Sequence, residues 1–550
     1  MKLSLMKSAL FKYCLMFFLC LPLLFINIKS SHDWGDDFAQ YIHQAINIYN
    51  GTSQLQTGYI YNPQFMMGPP AYPSGFPLLL VPVYALFGNS IYHFDLYMSL
   101  FLFTTSLLMF YFFQKHFSAL ISGLIVLVFI YNPWTLNFKT EIMSEFPFTL
   151  LLLISVLLYQ RVKPESYIQS FILALLSGLL ISIRNIGLVF FVAILMDWVL
   201  RCIQNRSLKN NLRMLIPAAI IMGFGFITYL LICRWILPCT QHGIFSYGYS
   251  YNPGPSQHYI LNNIYYNLAV LRSYFEPWND QWSFISVLCG TMIFSFIVLG
   301  AIKKMSGRLD FIDILVIFYF IAIIAYPISN AGFRFLFPLA PFLFYYAIEG
   351  IQCINIKFRV GPPTVALIIT FCIFFSYQKG WSDLFQSRNK QLGGPQDPNS
   401  SAAFDFIVHN TSESARFCFL KPRALSLYTG RSAMSNRPLQ NLADIHQSFL
   451  DNIIQYVLID SDISDDSLKT YVRKKGNELT KIWNNSNFQL YRRDFAFHPS
   501  ANPRIRYYEN EIVQTEDWRE KIRQKAFIKK IPIDSMIYLD AKYMCDQEKK

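Results

Sequence analysis

Three aspartates crowd together in the segment Ser30–Tyr49, which separates one apolar stretch from the next. Asp33, Asp36 and Asp37 lie here beside His32, and the chain that continues from there to Phe113 contains no Lys or Arg. A carboxylate that is partly removed from water at a membrane-facing cleft can act as a general base on a hydroxyl group. The acids are therefore candidates for catalysis.

Two other interpretations of the acids remain open. The pattern DWGDDFAQYIHQA predicts a loop followed by a helix, with Asp36 and Asp37 at the helix N-terminus. An acid in that position can cap the helix and is favoured by the helix dipole by about 0.3–1 kcal/mol, which explains one aspartate but not three. Together with His32 the acids could hold a divalent metal, but they lack the spacing of a ligand set. We therefore predict no metal site.

The composition indicates a membrane protein with a water-exposed part. Hydrophobic residues make up 53% of the 550 residues and charged residues only 15%, against roughly 25% charged in globular proteins. The net charge of +13 comes mainly from Lys and Arg in short loops and in the last third of the chain, a distribution typical of the positive-inside rule. This distribution argues against a nucleic-acid partner and makes the lipid bilayer the expected one.

Apolar stretches long enough to cross a bilayer as helices recur along the chain as far as Tyr377. The first follows a basic N-terminus but is longer than the apolar part of a secretory signal, so we predict that it is an uncleaved helix. About eleven spans are predicted, near residues 10–29, 91–113, 119–135, 145–160, 167–183, 186–200, 214–237, 284–302, 310–328, 335–352 and 361–378.

Basic loops alternate with nearly uncharged ones, and this alternation predicts the orientation. The basic loops are expected in the cytoplasm together with the N-terminus. An odd number of spans then places the C-terminal part outside the cytoplasm. The predicted organisation is a membrane domain at 1–380 with its first outer loop at 30–90, a linker at 381–401, a soluble α/β domain at 402–494 and a basic tail at 495–550.

The α/β domain is predicted from alternating helical, strand and turn patterns. The patterns SAAFDFIVHNT, NLADIHQSFLDNI and DDSLKTYVRKKG indicate helices. Strands are expected at ARFCFLKP, ALSLYTGR and YVLIDS, and a hairpin at ELTKIWNNSNFQLYRR. The tail gives no fold signal beyond a solvated or membrane-surface helix.

Four isolated cations lie in the predicted outer loops: Lys139, Arg184, Arg272 and Arg334. Any one of them could simply extend its charge to the membrane surface, but four on the side of the acids favour a shared phosphate site for at least two of them. The stretch Phe76–Phe87, rich in Pro and aromatics, is too short for a comfortable span. We predict an interfacial or re-entrant helix there, with an extra span as the alternative.

Several short motifs follow one another in a fixed order and on one predicted side of the membrane. They are D-D-x-x-x-Y at Asp36, Asp37 and Tyr41, then PPAYPSGFPLLLVPVYALFG, NPWTLNFKTEIMSEFPF with Glu145, SIRNIGL with Arg184 and NAGFRFLFPLAPFL with Arg334. Together they resemble the motifs of the GT-C membrane glycosyltransferases, which include protein O-mannosyltransferases, aminoarabinose transferases of lipid A and bacterial Rgt-like transferases. The resemblance covers roughly residues 1–380, and the family more often has Glu where this chain has Asp37.

The resemblance implies an inverting transfer of a hexosyl or pentosyl group from a polyprenyl-phosphate-linked donor to a hydroxyl of a glycan, lipid or protein outside the cytoplasm. It implies that Asp36 is the base and Asp37 a second acid that positions base or acceptor. The fold it implies for the membrane part is a polytopic α-helical GT-C protein, and similarity to the bacterial members favours a bacterial inner membrane. The small C-terminal α/β domain has no family match; its fold is predicted from the sequence patterns, and its position outside the cytoplasm is predicted from the loop charges. The expected substrate-binding residues are Arg184, Arg334, Glu145, Lys139, Tyr41 and Arg272.

Two other functions remain open. A transporter or flippase of lipid-linked saccharides would show charged or broken helices near the membrane midplane and an internal repeat, and the sequence contains neither signal. The second is a non-catalytic assembly subunit, in which the outer α/β domain binds a partner. Only an activity assay distinguishes it from the enzyme.

Overall fold

The computed structural model describes residues 2–61, 68–162, 166–204, 208–236, 259–274, 283–307, 309–326, 331–358, 362–387, 392–437, 439–476, 479–493, 500, 502–529 and 531–548. These residues form two compact units. The membrane unit contains the described residues of Met1–Ser30, Pro73–Ile244 and Asn252–Gln391. The α/β unit contains those of Ser31–Tyr72 and Leu392–Lys550.

The membrane unit is mostly helical in its described residues, and a helix overlaps each stretch that was predicted to span the bilayer. Within the described part of the chain, four helical segments are long and apolar enough to cross a membrane by themselves: Ile91–Gln114, Asn185–Ile203, Leu215–Cys233 and Val287–Met305. The count of eleven spans stays a prediction. The helices are α1 (Lys2–Cys20), α3 (Gly75–Phe87), α4 (Ile91–Gln114), α5 (Ala119–Ile130), α6 (Pro133–Phe138), α7 (Glu145–Tyr159), α8 (Tyr167–Ile183), α9 (Leu188–Gln204), α10 (Leu208–Leu230), α11 (Tyr259–Ser273), α12 (Ser283–Met305), α13 (Phe311–Ala325), α14 (Ala340–Phe358) and α15 (Pro362–Gln386).

Small residues allow the helices of the membrane unit to approach closely. A Cβ atom at Gly300 of α12 would collide with the carbonyl oxygen of Tyr346 in α14, and one at Gly350 of α14 would collide with that of Phe296. Only glycine fits at such a crossing, a packing mode typical of helices in membranes. The short helix α3 contains Pro82 and occupies the stretch that was predicted to be too short for a span.

The α/β unit is built on a five-stranded sheet with the strand order β2-β1-β3-β5-β4. Strand β1 pairs in parallel with β2 and β3, whereas β3–β5 and β4–β5 are antiparallel. Apolar side chains around the sheet form two core clusters. The strands are β1 (Arg416–Cys418), β2 (Ser432–Met434), β3 (Tyr456–Asp460), β4 (Leu479–Asn484) and β5 (Phe488–Arg493), and the helices beside them are α16 (Pro398–Asn410), α17 (Pro422–Thr429), α18 (Leu442–Asp451) and α19 (Asp466–Lys474).

The acidic segment Ser31–Tyr72 folds as part of this unit. Its helix α2 (Asp37–Tyr49) packs against α17. The main chain around Tyr59 runs along the edge strand β2, where Ile60 N donates to Ala433 O at 2.8 Å and Ala433 N donates to Gly58 O at 2.9 Å. Trp34 packs into the core of the sheet domain. The segment Ser31–Tyr72, which follows the first helix, thus folds together with the C-terminal part of the chain.

Most of the elements predicted for the α/β domain are confirmed, but the strand predicted at ALSLYTGR is wrong. These residues lie mainly in helix α17. Their sequence alternates apolar and polar residues as a strand does, but Pro422 stands in the first turn of the helix and Gly430 follows its last residue in the left-handed conformation. Proline at the start and glycine after the end are the helix-terminating signals that decide the structure here.

The C-terminal tail is more ordered than its polar composition suggested. It forms α20 (Pro503–Gln514), α21 (Glu516–Lys529) and α22 (Ile533–Gln547). These three helices bury a small core of their own that includes Ile512, Ile522 and Tyr538. The apolar residues are few but recur with helical spacing, which is enough to pair short helices.

Candidate active site

Asp36 and Asp37 stand at the start of α2, as the sequence predicted, but Asp36 does not cap the helix. It occupies the N-cap position with helical backbone angles, and its side chain makes no capping hydrogen bond. Its Oδ1 instead accepts a hydrogen bond from the main-chain N–H of Ala424 at 3.3 Å. The capping explanation therefore does not account for this aspartate.

One buried arginine of the α/β domain, Arg423, binds both acids. Its Nη1 lies 3.3 Å from Asp37 Oδ1 and its Nε lies 3.8 Å from Asp36 Oδ2. The remaining end of the guanidinium, Nη2, donates to the carbonyl oxygen of Pro69 at 2.7 Å. The Arg423 side chain is 1% exposed, against 10% for Asp36 and 26% for Asp37. The acids therefore keep some access to solvent, and the arginine does not.

Tyr72 completes this group, which we call the acid cluster (Asp36, Asp37, Tyr72 and Arg423). The Tyr72 hydroxyl donates to Asp37 Oδ1 at 2.5 Å and accepts from Arg423 Nη1 at 3.0 Å. Tyr41, predicted as a site residue, is buried and stacks on the Tyr72 ring with 4.4 Å between the ring centroids. Tyr41 therefore contacts the ring of Tyr72, the tyrosine that hydrogen-bonds to Asp37 and Arg423.

Burial and the neighbouring positive charges have opposite effects on the pKa of Asp36. Burial raises the pKa of the Asp36 carboxyl to about 6, although the charges of Arg423 and Lys421 and the hydrogen bond from Ala424 act to lower it. Burial would also lower the pKa of Arg423, but its tyrosine and aspartate neighbours raise that pKa above the ordinary value. At neutral pH the cluster thus holds a permanent positive charge beside a carboxylate whose affinity for a proton is higher than usual.

Asp33 has a local role. Its Oδ1 accepts from the main-chain N–H of Gly35 at 2.7 Å and lies 3.0 Å from Nδ1 of His32. These contacts shape the loop in front of α2.

The membrane unit contains a second group, the arginine cluster (Glu145, Arg184 and Arg334). Glu145 Oε1 lies 2.7 Å from Arg184 Nη1 and 2.5 Å from Arg334 Nε. Glu145 is the first residue of α7, where the helix dipole favours a carboxylate. Arg184 follows the last residue of α8, and Arg334 lies in the 3-10 turn Gly332–Phe335. Three elements are joined at one buried carboxylate.

The two arginines of this cluster keep part of their surface exposed while the glutamate does not. The exposed fractions are 17% for Arg184, 23% for Arg334 and 0% for Glu145. Among the described residues, the two guanidinium groups share this one carboxylate, and both are partly exposed. Such a surface suits an anion such as a phosphate.

The other two predicted cations lie apart from this cluster. Lys139 is fully buried; its Nζ donates to Ser99 Oγ at 2.8 Å and to Asn27 O at 3.3 Å, and lies 4.0 Å from Asp95 Oδ1. Its contacts are those of a structural residue, and it is not the partner of Glu145 among the described residues. Arg272 is exposed in the last turn of α11.

Comparison with known proteins identifies the family. Residues 73–403 match the family described as predicted membrane protein DUF2079, a match over more than half of the chain. The chain belongs to the DUF2079 family. No curated protein matches the sequence significantly.

Solved structures place this DUF2079 protein in the GT-C fold. The archaeal oligosaccharyltransferase AglB from Archaeoglobus fulgidus, in complex with an inhibitory peptide and a dolichol-phosphate, has a TM-score of 0.53 at 11% identity, over 82% of this chain and 69% of AglB. ArnT from Cupriavidus metallidurans bound to undecaprenyl phosphate has a TM-score of 0.52 at 11% identity, over 87% of this chain and 97% of ArnT. The GT-C resemblance predicted from the sequence is confirmed.

Asp36 and Asp37 of this DUF2079 protein are poorly suited to a metal ion. A further AglB structure is described as a complex with Zn and sulfate, with a TM-score of 0.50 at 12% identity, over 82% of this chain and 68% of that one. In this chain the Arg423 guanidinium lies within 4 Å of both Asp36 and Asp37. A divalent cation between these carboxylates would be repelled by that charge, which disfavours a metal ion bound by this pair.

Arg423 and Tyr72 were not predicted as site residues. Arg423 directly precedes the segment that was predicted to be a strand, and no family motif covered that part of the chain. Tyr72 stands inside the quoted segment PPAYPSG, where its neighbours are proline and glycine rather than charged residues. Two signals in the sequence could have pointed to them. Pro422 indicates the start of a helix, and because no Lys or Arg occurs between Asp36 and Phe113, a cation that pairs with the acids is expected from another part of the chain.

Proposed function

We propose that this protein is an inverting glycosyltransferase. It moves a hexosyl or pentosyl group from a polyprenyl-phosphate-linked donor to a hydroxyl of a glycan, lipid or protein on the outer face of the membrane. The observation that carries the proposal is a largely buried carboxylate, Asp36, whose pKa burial raises to about 6, on a GT-C fold. AglB and ArnT are described with dolichol-phosphate and undecaprenyl phosphate, respectively, which supports a polyprenyl phosphate as the carrier.

Asp36 is proposed as the general base. In its ionised form it takes the proton of the acceptor hydroxyl while that oxygen attacks the anomeric carbon. The bond from this carbon to the phosphate oxygen breaks, and polyprenyl phosphate leaves with the electron pair on the face opposite to attack, which inverts the configuration. A base with a pKa close to neutrality accepts the proton readily and is still ionised at neutral pH.

Arg184 and Arg334 are proposed to bind the donor phosphate. Charge grows on the leaving phosphate as the bond breaks, and a guanidinium held in place stabilises that charge without reorganising. Glu145 fixes both arginines, so its role is to position them. Arg272, Lys139 and Tyr41 stay as lower-ranked candidates for substrate binding.

We further propose about eleven transmembrane helices, a cytoplasmic N-terminus and a location in a bacterial inner membrane. The alternation of basic and nearly uncharged loops supports this orientation. In this proposed orientation the α/β unit lies in the periplasm or outside the cell.

The test is sugar transfer in membranes that contain the protein, supplied with radiolabelled undecaprenyl-phosphate-linked pentose and hexose donors. We expect Asp36→Asn to reduce transfer by at least about 100-fold, the usual scale for a general base. Asp33→Asn is the matched control, because it removes a carboxylate whose hydrogen bonds stay within the same loop, and it should retain activity.

The outcome separates the three functions. Full transfer by the Asp36→Asn variant would remove Asp36 as the base. A wild-type protein that moves the labelled lipid across the membrane without transferring sugar is a flippase, and one that does neither is an assembly subunit.

A further inference from the structure

A single guanidinium holds together four separate parts of the acid cluster and its surroundings. Arg423 contacts Asp36, Asp37, the Tyr72 hydroxyl and the carbonyl oxygen of Pro69, as given above. Its carbon Cζ also lies 4.8 Å from the ring centroid of Tyr59. Almost no part of the side chain reaches solvent, so it is not placed to bind a substrate itself. Its contacts are those of a residue that arranges other residues.

Arg423 comes from a different region of the sequence than the acids that it binds. It lies in the first turn of α17, directly after Pro422, and is separated from Asp37 by 386 positions. The next main-chain N–H along α17, that of Ala424, binds Asp36. The N-terminal turn of α17 therefore gives the acids both a side-chain cation and a main-chain donor, and both are favourable for carboxylates.

We propose that Arg423 is a positioning residue of the glycosyltransferase site, which orients Asp36 and Asp37 and supplies the fixed positive charge beside them. It follows that the C-terminal α/β domain is an obligatory part of the catalytic centre rather than an accessory domain. This inference rests on the proposed function, because it assigns Arg423 a role through the base Asp36.

The geometry of the contacts requires arginine rather than any cation. Nη1 and Nη2 of one planar group hydrogen-bond to Asp37 and to Pro69 O, while Nε lies 3.8 Å from Asp36 Oδ2, an ion-pair distance. Lysine has one nitrogen and could keep one or two of these contacts, but not the set. Gly68 shows how closely the guanidinium is fitted, since a Cβ atom there would lie 2.5 Å from Arg423 Nη2.

The charge of Arg423 also favours the ionised form of Asp36, which is the form that acts as a base. The groups that face Asp36 are Arg423 and Lys421, Asp37 in its own helix, and Tyr59. Burial and the charge of Asp37 raise the pKa of Asp36, while Arg423 is the largest influence that lowers it. Without Arg423 the carboxyl would be protonated over more of the neutral range and could not accept a proton from the acceptor.

The test is the pH profile of kcat/KM for sugar transfer in membranes, measured for the wild type and for the variants Arg423→Gln and Arg423→Lys. The rate should rise with pH as the base ionises. We expect Arg423→Gln to move the midpoint of this rise upward by at least about one pH unit, the usual effect of removing a close opposite charge. We expect Arg423→Lys to keep the midpoint near the wild-type value but to lower kcat by about tenfold or more, because orientation is lost.

Arg431→Gln is the matched control. Arg431 is another buried arginine of the same domain, and it donates to the main-chain oxygens of Val408 and Thr411 at 2.9 and 3.0 Å. Its loss should lower the amount of folded protein without moving the pH midpoint. A purely structural role of Arg423 would give the same result as this control.

The outcomes also separate this inference from the function on which it rests. If the wild type transfers no sugar, the proposed function is wrong. If the wild type is active and Asp36→Asn is inactive, but Arg423→Gln leaves the midpoint unchanged, the inference is overturned. If Arg423→Gln does not accumulate, Arg423→Lys decides: wild-type kcat in that variant overturns the inference, and reduced kcat at an unchanged midpoint supports it.

Discussion

Asp36 combines two properties that conflict in most proteins, burial and a negative charge. The unfolded chain has an aspartate of ordinary pKa, near 3.8, whereas in the folded chain burial raises this pKa to about 6. The folded state therefore binds the proton more tightly. The stabilising contribution of the protonated carboxyl is complete below about pH 4 and is lost as the pH rises through about 6. The ionised base is thus present in the pH range where it destabilises the fold.

This reasoning predicts that removing the base stabilises the protein at high pH. Asparagine resembles the protonated carboxyl, so Asp36→Asn should raise the free energy of unfolding by about 1–3 kcal/mol at pH 8, and change it little at pH 4. The measurement is thermal unfolding in detergent at both pH values. A variant that unfolds more easily than the wild type at pH 8 would mean that the Arg423 contact outweighs burial.

At the scale of elements, one buried carboxylate fixes the arginine cluster. Replacing Glu145 by alanine leaves two guanidinium groups without their common partner. The loss of one side of a buried ion pair costs about 3–5 kcal/mol. Arg184→Ala or Arg334→Ala leaves Glu145 with one arginine and should cost less, about 1.5–3 kcal/mol.

Apparent melting temperatures in detergent test this order. Lys303→Ala is the control, because Lys303 Nζ lies 3.2 Å from Glu349 Oε2 in a partly exposed pair, and such pairs contribute at most about 1 kcal/mol. Equal losses for Glu145→Ala and Arg184→Ala would contradict a carboxylate shared between two arginines.

The sequence predicted individual helices better than the contacts between distant segments. The apolar stretches, the start of α2 and the positions of Glu145, Arg184 and Arg334 at helix ends follow from local patterns. Hydrophobic runs and charge alternation have a physical cause at each position, namely the bilayer. These features could therefore be predicted residue by residue.

The partner of the acids could not be predicted in this way. Arg423 reaches Asp37 across 386 positions, and nothing local in KPRALSLYTG distinguishes this arginine from a surface cation. The alternating pattern that follows it even predicted the wrong element. Two adjacent, largely buried carboxylates favour a positive charge beside them, so a cationic partner could be expected from the acids, but its identity depended on the tertiary fold.

At the scale of the whole molecule, the α/β unit combines an early and a late segment of the chain, and this constrains the membrane topology. Ser31–Tyr72 and the described residues from Leu392 onward form one compact unit, so we expect both parts on the same side of the membrane. This expectation predicts an even number of crossings in the chain between them. If the first helix crosses the bilayer, the predicted total is odd, which agrees with the prediction of eleven spans and of an interfacial or re-entrant α3.

This topology predicts the outcome of reporter fusions. Alkaline phosphatase fused after Lys550, and the same reporter fused after Asn50 in a truncated chain, should both be active, because both sites lie outside the cytoplasm if the N-terminus is inside. A fluorescent protein that folds only in the cytoplasm should stay dark at both positions and be bright when fused after Arg206. Opposite results at Asn50 and Lys550 would contradict the expectation that both parts of the α/β unit lie on one side of the membrane. Cytoplasmic signals at both positions would show the reverse orientation and would contradict sugar transfer on the outer face.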